Sequence, residues 1–209
     1  MRVLLLGGAL GPAFFVTAVS IGAALRPDYD HSMQVMSALG GTGSPNSFLM
    51  NGFGFFPTGV LIAIFGFALH RLVPRSFFSH VGALLSILFG GGIVAAGLYS
   101  CDPGCLGIGS SREAYLHIVA SVVAFLSGIT ACFAWGGAFR SSPTWRPLSN
   151  FSLLTGLMAG CLLFGFNTTS GTDSFPGIWQ RLFIGSLFGW CAIVGIGSYR
   201  LTDPARENV

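Results

Sequence analysis

The chain has 209 residues, of which 52% are hydrophobic and only 8% carry a charge. Soluble domains average about 25% charged residues, so this composition indicates a membrane protein. The ten basic residues are all arginine and leave a net charge of +3, which is too sparse for a nucleic-acid-binding surface.

Six apolar windows are long enough to cross a bilayer, whose hydrocarbon core requires about 20 residues of helix. Each window is expected to be helical, because an unsatisfied backbone group in lipid costs several kcal/mol. The sequence therefore predicts an all-α integral membrane protein, a six-helix bundle that forms a single domain over residues 1–209. The predicted helices span approximately residues 3–25, 47–69, 79–100, 114–138, 149–167 and 178–199.

The arginines predict the orientation, because short loops rich in arginine stay in the cytoplasm. Both termini are predicted cytoplasmic, and the segments 26–46, 100–113 and 167–177 are predicted to be extracytoplasmic. Seven of the ten arginines fall on the predicted cytoplasmic side, namely Arg2, Arg71, Arg75, Arg140, Arg146, Arg200 and Arg206.

The longest outward segment follows the first helix. Met33, Val35, Met36 and Leu39 recur there at mixed helical spacing before a pair of glycines. This pattern predicts a short interfacial helix lying over the outer mouth of the bundle.

The stretch SCDPGC, residues 100–105, follows the third helix. Asp102-Pro103-Gly104 predicts a tight turn, since proline presets φ and glycine permits a positive φ. An oxidising compartment would then allow Cys101 and Cys105 to form a disulfide that holds Asp102 in place. Free thiols remain an alternative, as does a redox-active pair, although the spacing is C-x-x-x-C rather than C-x-x-C.

Two further patterns concern the helices themselves. Ser110 and Glu113 have the spacing of a capping box at the start of the fourth helix, which places Glu113 and His117 on one helix face. Small residues four apart let membrane helices approach closely. Such glycine pairs are Gly7/Gly11, Gly156/Gly160 and Gly185/Gly189.

Polar and ionisable side chains gather at the predicted outward helix ends, where such groups are costly and commonly functional. We expect Asp102, His117 and Arg181 to converge on one cavity that opens outward. The predicted ligand-binding residues are Asp28, Asp30, Asn51, Asp102, Glu113, His117, Gln180 and Arg181.

Several roles are open for two of these side chains. His117 is interpreted as a structural group bonded to Glu113 or Asp102, as a base or ligand-binding group, or as a metal ligand. Arg181 is interpreted as a salt-bridge partner of an outward acid or as a receptor for an anionic headgroup. No metal site or cofactor is predicted, because neither H-x-x-x-H nor H-E-x-x-H spacing occurs.

Five short motifs occur in a characteristic order: DYDHSMQVMSALG, MNGFGFFPTG, SCDPGC, YLH and GIWQRL. In this order they resemble the bacterial multi-pass membrane family called domain of unknown function 998, over roughly residues 5–200. The resemblance implies the same architecture in a bacterial or archaeal plasma membrane, but no reaction. The family positions that it implies here are Asp28, Tyr29, Asp30, Ser37, Asn51, Asp102, His117, Gln180 and Arg181.

Three functions are compatible with the sequence. The first is binding, or transport, of a small polar or headgroup-like anionic ligand in an outward pocket, with membrane lipids as partners. The second is a membrane-embedded hydrolase or transferase acting on lipid headgroups, with Ser37 or Ser32 as nucleophile, His117 as base, and Asp102 or Glu113 orienting it. The third is a structural or assembly protein.

The orientation can be tested with single cysteines introduced into a cysteine-free background. A cysteine at Pro45 should react with a membrane-impermeant maleimide in intact cells, and a cysteine at Thr144 should react only after the cells are opened. The reverse labelling pattern would contradict the orientation derived from the arginines.

Overall fold

A computed structural model describes residues 1–105, 109–169 and 175–203. It is all-helical, with no β-strand in that described part of the chain. Each of six helices is long and apolar enough to cross a membrane, so the predicted six-span integral membrane architecture is confirmed. The helices are α1 (Gly7–Ala24), α2 (Phe56–Leu72), α3 (Phe77–Leu98), α4 (Arg112–Arg140), α5 (Pro147–Thr169) and α6 (Pro176–Leu201).

The helices pack in chain order as a ring. Each helix contacts the next along the chain, and α6 closes the ring against α1. We call the end that carries the Cys101–Cys105 disulfide the disulfide end, and the end with loops 73–76 and 141–146 the arginine end. Segment 26–46 lies at the disulfide end, bonded to Cys101 after α3 and to the start of α6.

Segment 26–46 differs from its predicted form. In place of an interfacial helix it carries a single 3-10 turn, Met36–Gly40, within otherwise irregular backbone. Met36 and Leu39 are buried in this turn, so its apolar side chains pack against the bundle.

The start of the second span is also irregular. A π-helical stretch, Leu49–Phe55, precedes α2, and Pro57 occupies the first turn of α2. Proline cannot donate a backbone hydrogen bond, and a π-helical turn changes the bonding register by one residue. Just before Pro57 the second span therefore departs from α-helical geometry as a wider helical turn.

Buried hydrogen bonds join neighbouring helices in the core. The indole N–H of Trp135 on α4 donates to the Ser86 hydroxyl on α3, at 3.0 Å. The indole N–H of Trp190 on α6 donates to the Ser152 hydroxyl on α5, at 2.9 Å. Lipid does not drive apolar side chains together, so such bonds and close packing hold membrane helices to one another.

The predicted glycine pairs have mixed outcomes. A Cβ atom at Gly7 or Gly11 would meet the backbone of α2, and a Cβ at Gly156 would meet Cys132 and Phe133 on α4. These three glycines therefore allow close helix packing, as predicted. The prediction is wrong for three others, where no described atom outside the local helix lies within 4 Å: Gly160, Gly185 and Gly189.

A closer glycine contact lies between α2 and α3. A Cβ at Gly59 would collide with the Gly90 carbonyl oxygen, and a Cβ at Gly90 would collide with the Gly59 carbonyl oxygen. The sequence spacing did not reveal this pair, because its two members lie on different helices.

Gly90 and its neighbour Gly91 provide a matched test. A Cβ at Gly91 meets nothing within 4 Å, so Gly91→Ala should leave the thermal midpoint in detergent unchanged or slightly higher. Gly90→Ala should lower it, because overpacking costs about 1–3 kcal/mol. Equal midpoints for the two variants would contradict the α2–α3 contact.

Candidate functional site

His117 lies in the second turn of α4 and is buried. Its Nδ1 is 2.8 Å from the carbonyl oxygens of both Ala96 and Tyr99. These carbonyls lie at the end of α3, where the last C=O groups of a helix lack intrahelical partners. Nδ1 faces two acceptors, so it carries the proton and donates. The expected bond to Glu113 or Asp102 is therefore wrong, and His117 instead caps α3.

The other ring nitrogen of His117 is in a different position. Nε2 makes no hydrogen bond with any residue that the structure describes. The ring lies edge-on to Phe55, with ring centroids 6.2 Å apart. One face of His117 thus completes α3, and Nε2 is left to interact with a further group.

A small cavity of about 40 Å³ adjoins His117. Its walls come from α1, α3, α4 and α6, the π-helical stretch and the 3-10 turn, and they are mostly apolar. A water needs about 10–15 Å³ on this scale, so the space holds a group of only a few heavy atoms. The polar residues in the lining are Ser37, His117, Ser121 and Gln180.

The predicted disulfide is present at the end of α3. Cys101 and Cys105 are bonded, with their Cα atoms 5.2 Å apart. The turn between them closes with a bond from the Cys105 N–H to the Asp102 carbonyl, at 2.9 Å, and Gly104 takes a positive φ of 79°. The Cys101 carbonyl accepts from the Thr42 N–H at 2.8 Å, which ties this turn to segment 26–46.

Asp102 stabilises the approach to α4. Its Oδ2 accepts from the N–H of Ser110 at 2.6 Å and from the N–H of Ser111 at 3.2 Å. Hydrogen bonds from the Ser111 hydroxyl and from these two N–H groups lower the pKa of Asp102 to about 2. The carboxylate is therefore charged throughout the physiological range, and it positions the residues that begin α4.

The capping residue of α4 is one position later than predicted. Ser111, not Ser110, precedes the helix, and its hydroxyl accepts from the Ala114 N–H at 3.0 Å. The capping box with Glu113 is wrong for this reason. Ser110 is held by Asp102 instead.

Arg181 reaches from α6 to segment 26–46. Its Nη1 donates to the carbonyl oxygens of Gln34, at 3.0 Å, and Gly177, at 2.9 Å. Its Nη2 donates to the Tyr29 hydroxyl at 2.7 Å and lies 3.1 Å from Nδ1 of His31. Within the described residues Arg181 has no carboxylate partner, so its guanidinium is used to hold backbone and ring groups.

Tyr29 completes this contact. Its hydroxyl lies 3.1 Å from the Val35 carbonyl, to which it donates, while it accepts from Arg181. Burial raises the pKa of Tyr29, so the hydroxyl remains protonated and keeps its donor. Segment 29–35 is therefore closed on itself and attached to α6.

Two amide side chains attach the 3-10 turn to the bundle. The Gln180 Oε1 on α6 accepts from the Met36 N–H at 2.6 Å. The Asn51 Nδ2 in the π-helical stretch donates to the Gly40 carbonyl at 3.0 Å and to the Ser100 hydroxyl at 3.3 Å. Both ends of the turn are thus bonded to transmembrane helices.

The remaining predicted ligand-binding acids make local contacts or lie at the surface. Asp28 pairs with Arg26 at 3.3 Å. The Asp30 Oδ1 accepts from the Ser32 N–H at 2.7 Å, and N–H groups of this turn lower the pKa of Asp30. Glu113 is exposed in the first turn of α4. Asp173, an outward acid in the sequence, lies outside the described residues.

The expected convergence of Asp102, His117 and Arg181 on one cavity is not observed in the described structure. His117 lines the cavity, whereas Asp102 and Arg181 are not among its lining residues. Each instead has polar partners of its own, as described above. The cavity also includes residues that the sequence did not single out, because an apolar helix residue carries no signal of facing a void: Phe15, Phe55, Phe89, Ser121, Phe125 and Phe188.

One group of side chains has the composition of a metal site. Potential ligand atoms of Cys101, Cys105 and His117 lie within 4.8 Å of one another. Metals bind cysteine as the thiolate, and here the two sulfur atoms are bonded to each other. In the disulfide form this group offers only His117 as a ligand.

Comparison with protein-family models gives one match. The model described as "Protein of unknown function (DUF998)" matches residues 9–197. The chain belongs to this family. The resemblance noted in the sequence is thereby confirmed. No curated protein matches the chain, and no solved structure matches it.

Membership in DUF998 brings no reaction with it, so the chemistry of this DUF998 chain has to come from its own geometry. Most of the polar side chains described at the disulfide end form hydrogen bonds with backbone groups. The cavity at His117 is the feature of this end that could receive a ligand.

The role assigned to Arg181 can be measured by hydrogen exchange. Arg181→Gln removes the charged donors to the Gln34 carbonyl and the Tyr29 hydroxyl, and hydrogen bonds to charged groups contribute about 1.5–3 kcal/mol. Amide exchange in segment 29–36 should therefore accelerate by about tenfold or more. Arg112→Gln is the control, since Arg112 is an exposed arginine at the same end. Similar exchange rates in the two variants would contradict the role of Arg181 in holding this segment against α6.

Proposed function

We propose that this multi-pass membrane protein binds a small amphipathic molecule and that the polar end of the ligand enters the cavity beside His117. The observation that carries the proposal is that the His117 ring has two different surroundings. Nδ1 is committed to two carbonyl oxygens at the end of α3, while the ring also lines a largely apolar cavity. A few polar side chains in an otherwise apolar cavity are the usual arrangement for orienting one end of a ligand.

The size and lining of the cavity define the chemical class of the ligand. About 40 Å³ accommodates a carboxylate, a hydroxyl or a similarly small group, and the aromatic walls suit the hydrocarbon attached to it. Ser37, Ser121 and Gln180 add further hydrogen-bonding groups. A fatty acid or the hydroxyl end of a lipid fits this description better than a bulky anionic headgroup, since Arg181 is occupied elsewhere.

The surroundings of the site follow from the sequence. The arginine distribution supports an extracytoplasmic disulfide end, and the family resemblance supports the plasma membrane of a bacterium or archaeon. Membrane lipids are then both the solvent of the protein and the source of its ligand. Transport would require the cavity to open towards the arginine end as well, and the proposal is accordingly limited to binding.

A hydrolase is a second candidate because Ser37 lines the same cavity as His117. A serine nucleophile needs its base within about 3.2 Å, directly or through one water. The orienting group of a triad is usually a carboxylate, whereas Nδ1 of His117 faces backbone carbonyls. Asp102 is engaged by Ser110 and Ser111. Covalent labelling of Ser37 by a fluorophosphonate would favour this candidate over simple binding.

A structural role is the third candidate. It is favoured by the hydrogen bonds that Asn51 and Arg181 donate to carbonyl groups of segment 26–46, and by the bond that Gln180 accepts from the Met36 N–H. These bonds concern residues around the cavity. They account for Gln180 in the cavity lining but leave the two serines there, Ser37 and Ser121, unexplained.

The binding proposal can be tested with a diazirine-bearing fatty acid in nanodiscs. His117→Asn keeps an amide N–H near the position of Nδ1, so it preserves a donor for the end of α3, but it removes Nε2. Binding should weaken by about 1–3 kcal/mol, the cost of leaving a polar group unpaired, while the thermal midpoint changes little. His80→Ala is the matched control, because His80 is exposed at the arginine end.

Cross-link sites distinguish the remaining outcomes. Binding in the cavity predicts cross-links to Phe55, Phe89 or Phe188 that disappear when Ser121→Leu fills the space. Equal labelling of the parent, His117→Asn and Ser121→Leu proteins would contradict the proposal. A lower thermal midpoint without any change in labelling would favour the structural role.

A further inference from the structure

A second pocket lies at the arginine end, between α4 and α5, and its lining is polar. Its volume is about 370 Å³, and it is lined by Arg140, Arg146, Ser149 and Asn150. Arg140 is the last residue of α4, and Arg146 immediately precedes α5. Both side chains are exposed. Because the two residues end one span and precede the next, the pocket lies at the membrane boundary, which is the depth of lipid phosphates.

The two guanidinium groups are not neutralised by the described part of the protein. Neither Arg140 nor Arg146 forms an ion pair there, where the two ion pairs are Arg26–Asp28 and Arg2–Asp203. Of the five described acids, Asp28, Asp30, Asp102 and Glu113 lie at the disulfide end, and Asp203 at the arginine end is paired with Arg2. This leaves a local excess of positive charge, which attracts anions.

The walls of the pocket are fixed by packing. Trp145 is buried and stacks on Phe139, with ring centroids 5.8 Å apart and an interplanar angle of 10°. The Ser149 hydroxyl donates to the Gly136 carbonyl at 2.8 Å, which joins the first turn of α5 to α4. The Arg146 N–H donates to the Ser142 carbonyl at 2.9 Å. The loop that carries Arg146 is therefore held against both helices before any ligand arrives.

We propose that the pocket lined by Arg140 and Arg146 binds a phosphate group, either that of an anionic phospholipid or free phosphate. Arginine forms paired hydrogen bonds with phosphate oxygens, and two arginines on adjacent helix ends can approach one phosphate from two sides. The Asn150 amide adds neutral donors. The positive end of the α5 dipole adds to the field, although the arginines define the site. This site is independent of the His117 cavity, which lies at the opposite end.

Native mass spectrometry of the detergent-solubilised protein provides the test. The probes are dioleoylphosphatidylglycerol, dioleoylphosphatidylcholine and inorganic phosphate. Arg140→Gln with Arg146→Gln should weaken phosphatidylglycerol binding by about tenfold or more, the loss expected for charged hydrogen bonds. The control is Arg71→Gln with Arg75→Gln, which removes the same charge from another loop at the same end. It should change binding by less than about twofold, because exposed charges outside a site interact weakly.

The outcomes separate the two sources of phosphate. Selective binding of phosphatidylglycerol over phosphatidylcholine, with no competition from millimolar phosphate, identifies the lipid as the ligand. Displacement of the lipid by inorganic phosphate identifies a site for the free anion. Equal loss in both double variants would show a general charge effect and overturn the proposal, as would unchanged binding in the Arg140/Arg146 variant.

Folding of the variants requires its own control. Arg140→Lys with Arg146→Lys keeps the charge but loses the paired donors, so it should bind with intermediate affinity. If the glutamine variant does not elute as a folded protein, the lysine variant is compared with Arg71→Lys and Arg75→Lys. Parent-like affinity in both lysine variants would then contradict the proposed arginine–phosphate geometry.

Discussion

The irregular backbone of segment 26–46, which is largely buried at the 3-10 turn Met36–Gly40, imposes the main constraint on the disulfide end. A helix satisfies its own N–H and C=O groups, but irregular buried backbone needs partners from elsewhere. Gln180, Asn51 and Arg181 provide them, through the Met36 N–H, the Gly40 carbonyl and the Gln34 carbonyl. This requirement explains why polar side chains occur near the ends of otherwise apolar helices.

The same constraint accounts for the residues around the disulfide. The end of α3 leaves carbonyl groups without partners, and His117 donates to two of them. Asp102 accepts hydrogen bonds from two N–H groups just before α4. The short disulfide ring contributes only about 2 kcal/mol in the chain-entropy model. Its larger effect is to keep Asp102 between the two helices that it helps to connect.

Sequence patterns predicted the spans well and the contacts poorly, for one physical reason. A membrane span is a property of about 20 consecutive residues, so the six helices could be read directly, and the turn chemistry of SCDPGC likewise predicted the disulfide. His117 donates to two backbone carbonyls, and Arg181 donates to two others besides its contacts with Tyr29 and His31. Backbone carbonyls have no residue identity in a sequence. Carboxylates were therefore expected in their place. The Gly59–Gly90 contact was missed because it joins two helices, and the rotation of one helix against another cannot be read from residue spacing within each helix.

The two ends of the bundle use their polar groups in opposite ways. At the disulfide end many of the described polar side chains bond to backbone, and His117 lines a largely apolar cavity. At the arginine end two guanidinium groups surround a pocket without a described carboxylate partner. On the two proposals made above, the apolar walls at the disulfide end would suit hydrocarbon with a small polar end, and the positive charge at the arginine end would suit an anion.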